Sequence, residues 1–225
     1  IKLAFESFQK GRLSSFLIEI TAAILGTKDP EGRGELIDNI LDKAKQKGTG
    51  KWTSQNAMDL GIAIPSIDMA VSQRALSALK ELRSQLSENK AQLETIDFNT
   101  LSKQAEKALY ASFAIAYGQG LHQISEASKV YDYQINLLSV IKLWRGGCII
   151  QSEMLGDLAV SFEKEAIEHI FESSHFKPNL KETLEGLREL VLLGTKHALP
   201  VGTLSSSLSY YDALHSSELP VNLVQ

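Results

Sequence analysis

The stretch QKGTGKWT, from Gln46 to Thr53, places two lysines, two glycines and a threonine hydroxyl close together. The ammonium groups of Lys47 and Lys51 attract anions. The glycines let a main chain approach a ligand or take a positive φ angle, and the exposed N–H groups of such a turn can form an anion-binding nest. The stretch therefore predicts either a site for a phosphate or carboxylate that includes Thr49, or only the solvated basic end of a helix.

A nucleotide phosphate loop is excluded by the spacing of the same stretch. The motif G-x-x-x-x-G-K-[ST] must follow a strand. Lys45 stands where its first glycine is required, and Trp52 replaces the hydroxyl that binds magnesium. The preceding segment, LIDNILDKAKQ, has helical spacing. Since the chain also lacks G-x-G-x-x-G, no cofactor-binding residue is predicted in it.

Arg74 is the second residue type that points to an anion. A long helix is predicted to begin at Pro65, where proline fits the first turn, and to run to about Asn89. Arg74 falls on its apolar stripe, and a charge there needs a partner because an unpaired buried charge is costly. The partner is either a carboxylate of the chain or an anionic ligand held by the planar guanidinium. The stripe consists of Ile67, Val71, Arg74, Ala78 and Leu82.

Composition narrows the possible functions. The net charge of −4 argues against non-specific binding to nucleic acid. The single cysteine, Cys148, excludes an internal disulfide and fits a reducing, cytoplasmic location. No apolar run is long enough to span a membrane, and the five histidines show no metal-ligand spacing. Because the sequence lacks a starting Met and stops on an apolar run, we expect a piece of a longer protein.

Apolar residues recur at helical spacing, and no clear strand alternation is present. The spacing predicts a helix from Leu36 to the glycines of QKGTGKWT, a short helix over 54–60 and a long helix over 100–130. We therefore predict an all-α fold, with residues 1–225 as one large domain around a continuous core. Ala63-Ile64-Pro65 and Ala198-Leu199-Pro200 resemble each other, which indicates either a duplicated helical half-domain or a chance similarity.

Several strings together resemble the C-terminal helical domain of the decarboxylating 6-phosphogluconate dehydrogenases. They are AFESFQKGRLSSFLIEITAAIL, QKGTGKWTSQNAMDLGIAIPSI, KALYASFAIAYGQGL, LWRGGCII and LSYYDALHSSELPVNLVQ. They run in family order over nearly the whole chain, and K-G-T-G-K-W with L-W-R-G-G-C-I-I is a specific combination. The segment 90–99 is less similar to the family and is expected to be a surface insertion.

The resemblance implies a function and a set of site residues. The family oxidises 6-phosphogluconate with NADP and releases CO₂ to form ribulose 5-phosphate. NADP is bound mainly by a preceding Rossmann domain, while the helical domain forms the homodimer and much of the substrate site. Carried over to this sequence, Lys47 and Thr49 contact the substrate and Arg74 binds its phosphate.

The resemblance also implies what this chain lacks. The family's catalytic lysine and glutamate precede the matching segments, and a tail with an arginine and a histidine follows them. We therefore expect no catalytic residue within 1–225 and no dehydrogenase activity from this chain alone. Two alternatives are a helical dimerisation module that has lost the chemistry and a related hydroxyacid dehydrogenase domain.

Overall fold

The computed structural model describes residues 1–45, 47–87 and 96–224, and in these residues the chain is helical. Two isolated β-bridges are the sole extended pairings in this part of the chain, so the predicted all-α class is confirmed. The α-helices are α1 Lys2–Gln9, α2 Phe16–Leu25, α3 Thr49–Leu60, α4 Pro65–Ser77, α5 Lys80–Gln85, α6 Phe98–Val130, α7 Leu137–Trp144, α8 Met154–Lys164, α9 Phe176–Lys196 and α10 Gly202–Leu214.

The long helix α6 is the centre of the molecule, and its predicted extent is confirmed. Asp97 caps it by accepting a hydrogen bond of 2.8 Å from the Thr100 N–H. Small residues let its neighbours approach closely. A Cβ added to Gly118 would lie 2.5 Å from Ile170, and one added to Gly186 of α9 would lie 2.6 Å from Lys107. α9 packs along α6, and most of the buried apolar side chains form one cluster around them.

The helix predicted from Leu36 up to the glycines is wrong. Only a short 3-10 helix, Leu36–Asn39, is present, and the chain over 41–45 has no regular structure. The physical reason is that the apolar side chains of this segment are not buried. Ile37, Ile40 and Leu41 are exposed, and an isolated short helix is marginal without a packed apolar face. The next helix, α3, begins at Thr49. QKGTGKWT therefore leads into a helix and does not end one.

The single helix predicted from Pro65 to about Asn89 is also wrong. It is interrupted after Ser77, and α5 begins at Lys80. Leu76, Leu79 and Leu82 are all about half exposed, so no buried seam holds one continuous helix together here. The predicted end at Asn89 lies outside the described residues, as does most of the expected insertion over 90–99.

The two similar A-x-P strings lie at two similar corners. At the end of α3, the Ile62 N–H donates to Ala57 O at 2.8 Å, and Gly61 has φ +69°. At the end of α9, the Leu199 N–H donates to the carbonyl five residues earlier, also at 2.8 Å, and Ala198 has φ +52°. Both corners are Schellman-type helix ends, each followed by a new helix. The structural correspondence is offset by two residues from the sequence similarity, and duplication stays a prediction.

None of the helices in the described residues is both long enough and apolar enough to cross a membrane.

Candidate anion-binding site

Of the two glycines in QKGTGKWT, one lies in the turn before α3 with a positive φ angle, and Gly50 lies inside α3. Gly48 takes φ +106°, a conformation that L side chains rarely adopt. The first helical hydrogen bond of α3 runs from the Trp52 N–H to Gly48 O at 2.9 Å. The N–H groups of Thr49, Gly50 and Lys51 therefore have no acceptor within the helix and lie at the positive end of its dipole. The first turn contains no acidic residue, so this terminus favours an anion.

Arg74 lies in the last turn of α4, and its surroundings differ from the prediction. Its side chain is exposed, so the expected place on a buried stripe is wrong, because the C-terminal half of α4 extends beyond the core. Its guanidinium donates to the main-chain carbonyl of Lys45. Within the described residues it forms no ion pair with a carboxylate, so the alternative of an internal salt bridge is not supported there.

Packing brings the turn and Arg74 to the same corner of the molecule. A Cβ on Gly50 would lie 3.0 Å from the Val71 side chain, so α3 begins almost in contact with α4, one turn before Arg74. Arg74 in turn holds Lys45, which lies two residues before Lys47. The three residues predicted for the site, Lys47, Thr49 and Arg74, are thus positioned by one loop and two adjacent helix ends.

The corner carries uncompensated positive charge. Lys45, Lys47 and Lys51 are exposed and make no ion pair with a carboxylate in the described part of the chain. Because the whole chain has a net charge of −4, this is a local cluster. Exposed cations at a helix N-terminus are normally unfavourable. A bound anion would offset this cost.

A groove opens beside the turn. It has a volume of about 490 Å³ and is lined by residues of α3, α6 and the end of α7: Thr49, Trp52, Thr53, Asn56, Gly120, Gln123, Ile124, Ala127 and Trp144. Gln123 fixes α3 against α6 by donating to Thr53 O at 2.9 Å and to the Asn56 side chain at 3.1 Å. Thr49 therefore belongs both to the positive turn and to a groove that has room for a small ligand.

The sequence analysis missed the residues that support the loop. Asp42, Ser77 and Arg83 hold the chain before QKGTGKWT against α4 and α5. Their sequence separations, 33 for Ser77 with Ala44 and 41 for Arg83 with Asp42, leave no periodic signal. The sequence analysis also did not predict the break in the helix after Ser77, because no proline or glycine marks it.

Two features that hold cofactors in other folds are not seen in the described residues. The phosphate-binding turn of a dinucleotide fold joins a strand to a helix, and the part of the chain seen here contains no strand. Within the same part, no group of three or more His, Cys, Asp or Glu side chains is arranged to hold a metal ion.

Comparison with protein families places the chain. The model for the 6-phosphogluconate dehydrogenase C-terminal domain matches residues 1–225. The chain belongs to this family. Among curated 6-phosphogluconate dehydrogenases, it is 38% identical over 229 residues to the decarboxylating enzyme of Lactococcus lactis subsp. lactis, covering 100% of this chain and 48% of the relative. It is 40% identical over 227 residues to the NADP(+)-dependent, decarboxylating enzyme of Bacillus subtilis, covering 98% of this chain and 48% of the relative.

A solved 6-phosphogluconate dehydrogenase confirms the fold. The Plasmodium falciparum enzyme, described in apo form and in complexes with its cofactor NADP+ and its substrate 6-phosphogluconate, superposes with a TM-score of 0.94. It is 37% identical, and the match covers 100% of this chain and 49% of that one. The chain thus spans about half the length of the 6-phosphogluconate dehydrogenases that it matches.

Proposed function

We propose that this chain is the substrate-binding and dimerisation part of an enzyme that oxidatively decarboxylates 6-phosphogluconate to ribulose 5-phosphate. The family match over residues 1–225 carries the proposal, together with relatives whose names state the decarboxylating activity. A module without chemistry is less favoured, because such a module has little need of the positive corner at Lys47, Thr49 and Arg74.

The proposed roles of the three residues follow from their chemistry. A substrate phosphate carries about two negative charges at neutral pH. The Arg74 guanidinium has N–H groups beyond the one bonded to Lys45 O, and they can take phosphate oxygens in a charge-assisted contact. Lys47 adds a flexible charge, and Thr49 offers a hydroxyl and a main-chain N–H at the start of α3. These groups bind and orient the substrate, and none of them is proposed as a proton acceptor.

NADP is the proposed cofactor of the complete enzyme and supplies the hydride acceptor when bound. The described residues contain no strand-to-helix turn of the dinucleotide-binding kind, and we assign its binding to a Rossmann domain outside this chain, as the family resemblance implies. The catalytic lysine and glutamate implied by the family resemblance are assigned outside the chain as well.

We further propose that the domain forms a homodimer in the cytoplasm. Many large apolar side chains are exposed on the chain by itself, including Leu143, Ile149, Leu192 and Leu223, which are between 61% and 90% accessible. Such exposure is typical of surfaces that other parts of an assembly cover. A subunit interface and contacts with a second domain both account for it.

Arg74→Ala in the full-length enzyme tests the substrate assignment. Losing a charge-assisted phosphate contact should cost about 1.5–3 kcal/mol of binding, so KM for 6-phosphogluconate should rise by roughly 10- to 150-fold. Lys47→Ala should raise it in the same direction. KM for NADP should change little, because its binding is assigned elsewhere.

Arg188→Ala is the matched control. Arg188 also has an exposed guanidinium, which pairs with Asp212 between α9 and α10, away from the turn. This variant should keep the wild-type KM. An unchanged KM in Arg74→Ala, measured by NADPH absorbance on folded protein, would show that the phosphate assignment is wrong.

A further inference from the structure

The segment from Asp42 to Lys45 reaches the anion-binding turn without any secondary structure of its own. Main-chain groups in such a segment need partners from elsewhere, and α4 and α5 supply them. The Ala44 N–H donates to Ser77 Oγ at 2.9 Å, and Arg74 donates to the Lys45 carbonyl. The path of the chain into Lys47 is therefore set by side chains that lie about thirty to forty positions later in the sequence.

Arg83 has the largest share of these contacts. One terminal nitrogen donates to the Asp42 carboxylate at 3.0 Å. The other donates at 3.1 Å to Asp42 O and at 3.1 Å to Ser77 O. A single guanidinium thus joins a loop side chain, the loop main chain and the last carbonyl of α4. Arg83 is half buried. Its planar guanidinium presents several N–H groups in fixed directions, so it can bridge these acceptors better than the flexible ammonium of a lysine could.

The break between α4 and α5 is what makes this arrangement possible. In one continuous helix, Arg83 would follow Arg74 by nine residues and would project about 180° away from it, at about 100° per residue. Only one of the two could then reach the loop. Because the helix ends at Ser77 and restarts at Lys80, both arginines bind the same short segment.

Asp42 is the anionic partner at the centre of this contact. Lys80 donates to its carboxylate at 2.7 Å, and hydrogen bonding to Lys80 and then to Arg83 lowers the pKa of Asp42 to about 2. Its charge is therefore present throughout the working pH range. Lys43 and Glu81, 3.6 Å apart, add a second ion pair between the loop and α5.

We propose that Arg83 is a positioning residue for substrate binding, which holds the Asp42–Lys45 segment so that Lys47, Thr49 and Arg74 converge on the substrate phosphate. Arg83 acts through the loop and is not proposed to touch the substrate. This proposal rests on the proposed function. It adds a role in substrate affinity for a residue that lies outside the anion-binding turn.

The test is steady-state kinetics of Arg83→Ala in the full-length enzyme. A loop that must be ordered at the moment of binding weakens substrate affinity, so KM for 6-phosphogluconate should rise about 10-fold, with kcat within about 2-fold of wild type. The inhibition constant of inorganic phosphate should rise by a similar factor, and KM for NADP should not change. If the role of Arg83 were purely structural, Arg83→Ala would lower the thermal midpoint without changing KM for 6-phosphogluconate or the inhibition constant of phosphate. An unchanged KM in folded Arg83→Ala overturns the proposal.

Two further variants keep the test decisive. Asp42→Asn removes the charge but keeps an acceptor for Arg83, and it should raise KM about 3-fold. If Arg83→Ala does not fold, an unchanged KM in Asp42→Asn overturns the proposal. Arg83→Lys retains the charge but cannot bridge all three acceptors, so its KM should lie between those of wild type and Arg83→Ala.

A double-mutant cycle separates this inference from the function on which it rests. If Arg83 acts through the placement of Arg74, the combined variant Arg74→Ala/Arg83→Ala should raise KM by less than the product of the single effects. A large effect of Arg74→Ala with none of Arg83→Ala rejects only the positioning role. No effect of Arg74→Ala rejects the phosphate assignment itself.

Discussion

At the residue scale, His169 is the most strongly perturbed histidine among the described residues. Its Nδ1 accepts a hydrogen bond from the Phe171 N–H at 3.2 Å, and its Nε2 lies 3.2 Å from Tyr210 Oη. Burial, and then the nearby imidazole of His122, lower its pKa to about 4, with a smaller opposing effect from Glu172. The ring is therefore neutral at pH 7, with its proton on Nε2, directed at Tyr210.

This environment predicts a pH-dependent stability. An unfolded histidine has a pKa of about 6.5, so between pH 6.5 and pH 4 the unfolded chain binds more protons than the folded one. The free energy of unfolding should therefore fall as the pH drops through this range and be unaffected by His169 above it. With allowance for its partial exposure, we expect a loss of about 2 kcal/mol.

Urea unfolding at pH 7 and pH 4.5 measures this effect. In His169→Gln, the difference between the two pH values should shrink by most of that amount. His175→Gln is the control: it removes an imidazole that is 45% exposed and lies 3.5 Å from the Asp157 carboxylate, and it should retain more of the wild-type difference than His169→Gln. Equal pH dependence in wild type and His169→Gln would contradict the assignment.

At the element scale, the start of α4 is fixed by a buried polar cluster. Gln119 of α6 accepts from the Ser66 N–H at 3.1 Å and donates to Ser66 Oγ at 2.9 Å. Ser66 Oγ lies 2.8 Å from Ser207 Oγ of α10. Since Ser207 donates to Thr203 O at 2.9 Å, Ser66 must be the donor to Ser207. Gln119 thus caps, from another helix, the α4 terminus that its own N-cap residue Ile64 leaves without a side-chain hydrogen bond.

Gln119→Ala should therefore be strongly destabilising. It leaves the Ser66 N–H without its acceptor in a fully buried place and opens a cavity, which together should cost about 2–4 kcal/mol. Gln104→Ala is a matched control, since Gln104 lies on the same helix and donates to Glu189 at the surface. That change should cost less than about 1 kcal/mol. Chemical denaturation would compare the two, and similar losses would contradict a special role for Gln119.

Helical spacing predicted some of these elements well and others poorly, for a physical reason. It placed α6 within two residues at its start, because the middle of the helix, from Ala108 to Gln123, has a buried face. It failed over 36–45, where the apolar side chains are exposed, and over 65–89, where the helix breaks after Ser77. Spacing reports what a segment can form, whereas burial decides whether that form is stabilised.

At the scale of the whole molecule, the chain spans about half the length of its relatives. The positive corner at Lys47 and Arg74 is proposed to bind the substrate, and neither group is proposed as a base. The described residues contain no strand, and hence no strand-to-helix turn of the dinucleotide-binding kind.

We therefore expect the purified 225-residue chain to form no NADPH from 6-phosphogluconate and NADP. Absorbance at the NADPH band measures this directly, with a full-length homologue as the positive control. Turnover by the chain alone would contradict the assignment of the catalytic and cofactor groups to other parts of the enzyme. Restoration of activity when a separately expressed N-terminal half is added would support it.

The sequence by itself determined the helical class and the central helix, and through the family resemblance it predicted Lys47, Thr49 and Arg74 as site residues. These depend on local spacing and on motifs that lie within a few residues of one another. Only the tertiary structure decided that α3 begins inside QKGTGKWT, at Thr49, that Arg74 is exposed and holds Lys45, and that Arg83 joins Asp42 to the end of α4. Such contacts cross 29 to 41 positions of the chain, and they form because packing stabilises them, which no local pattern records.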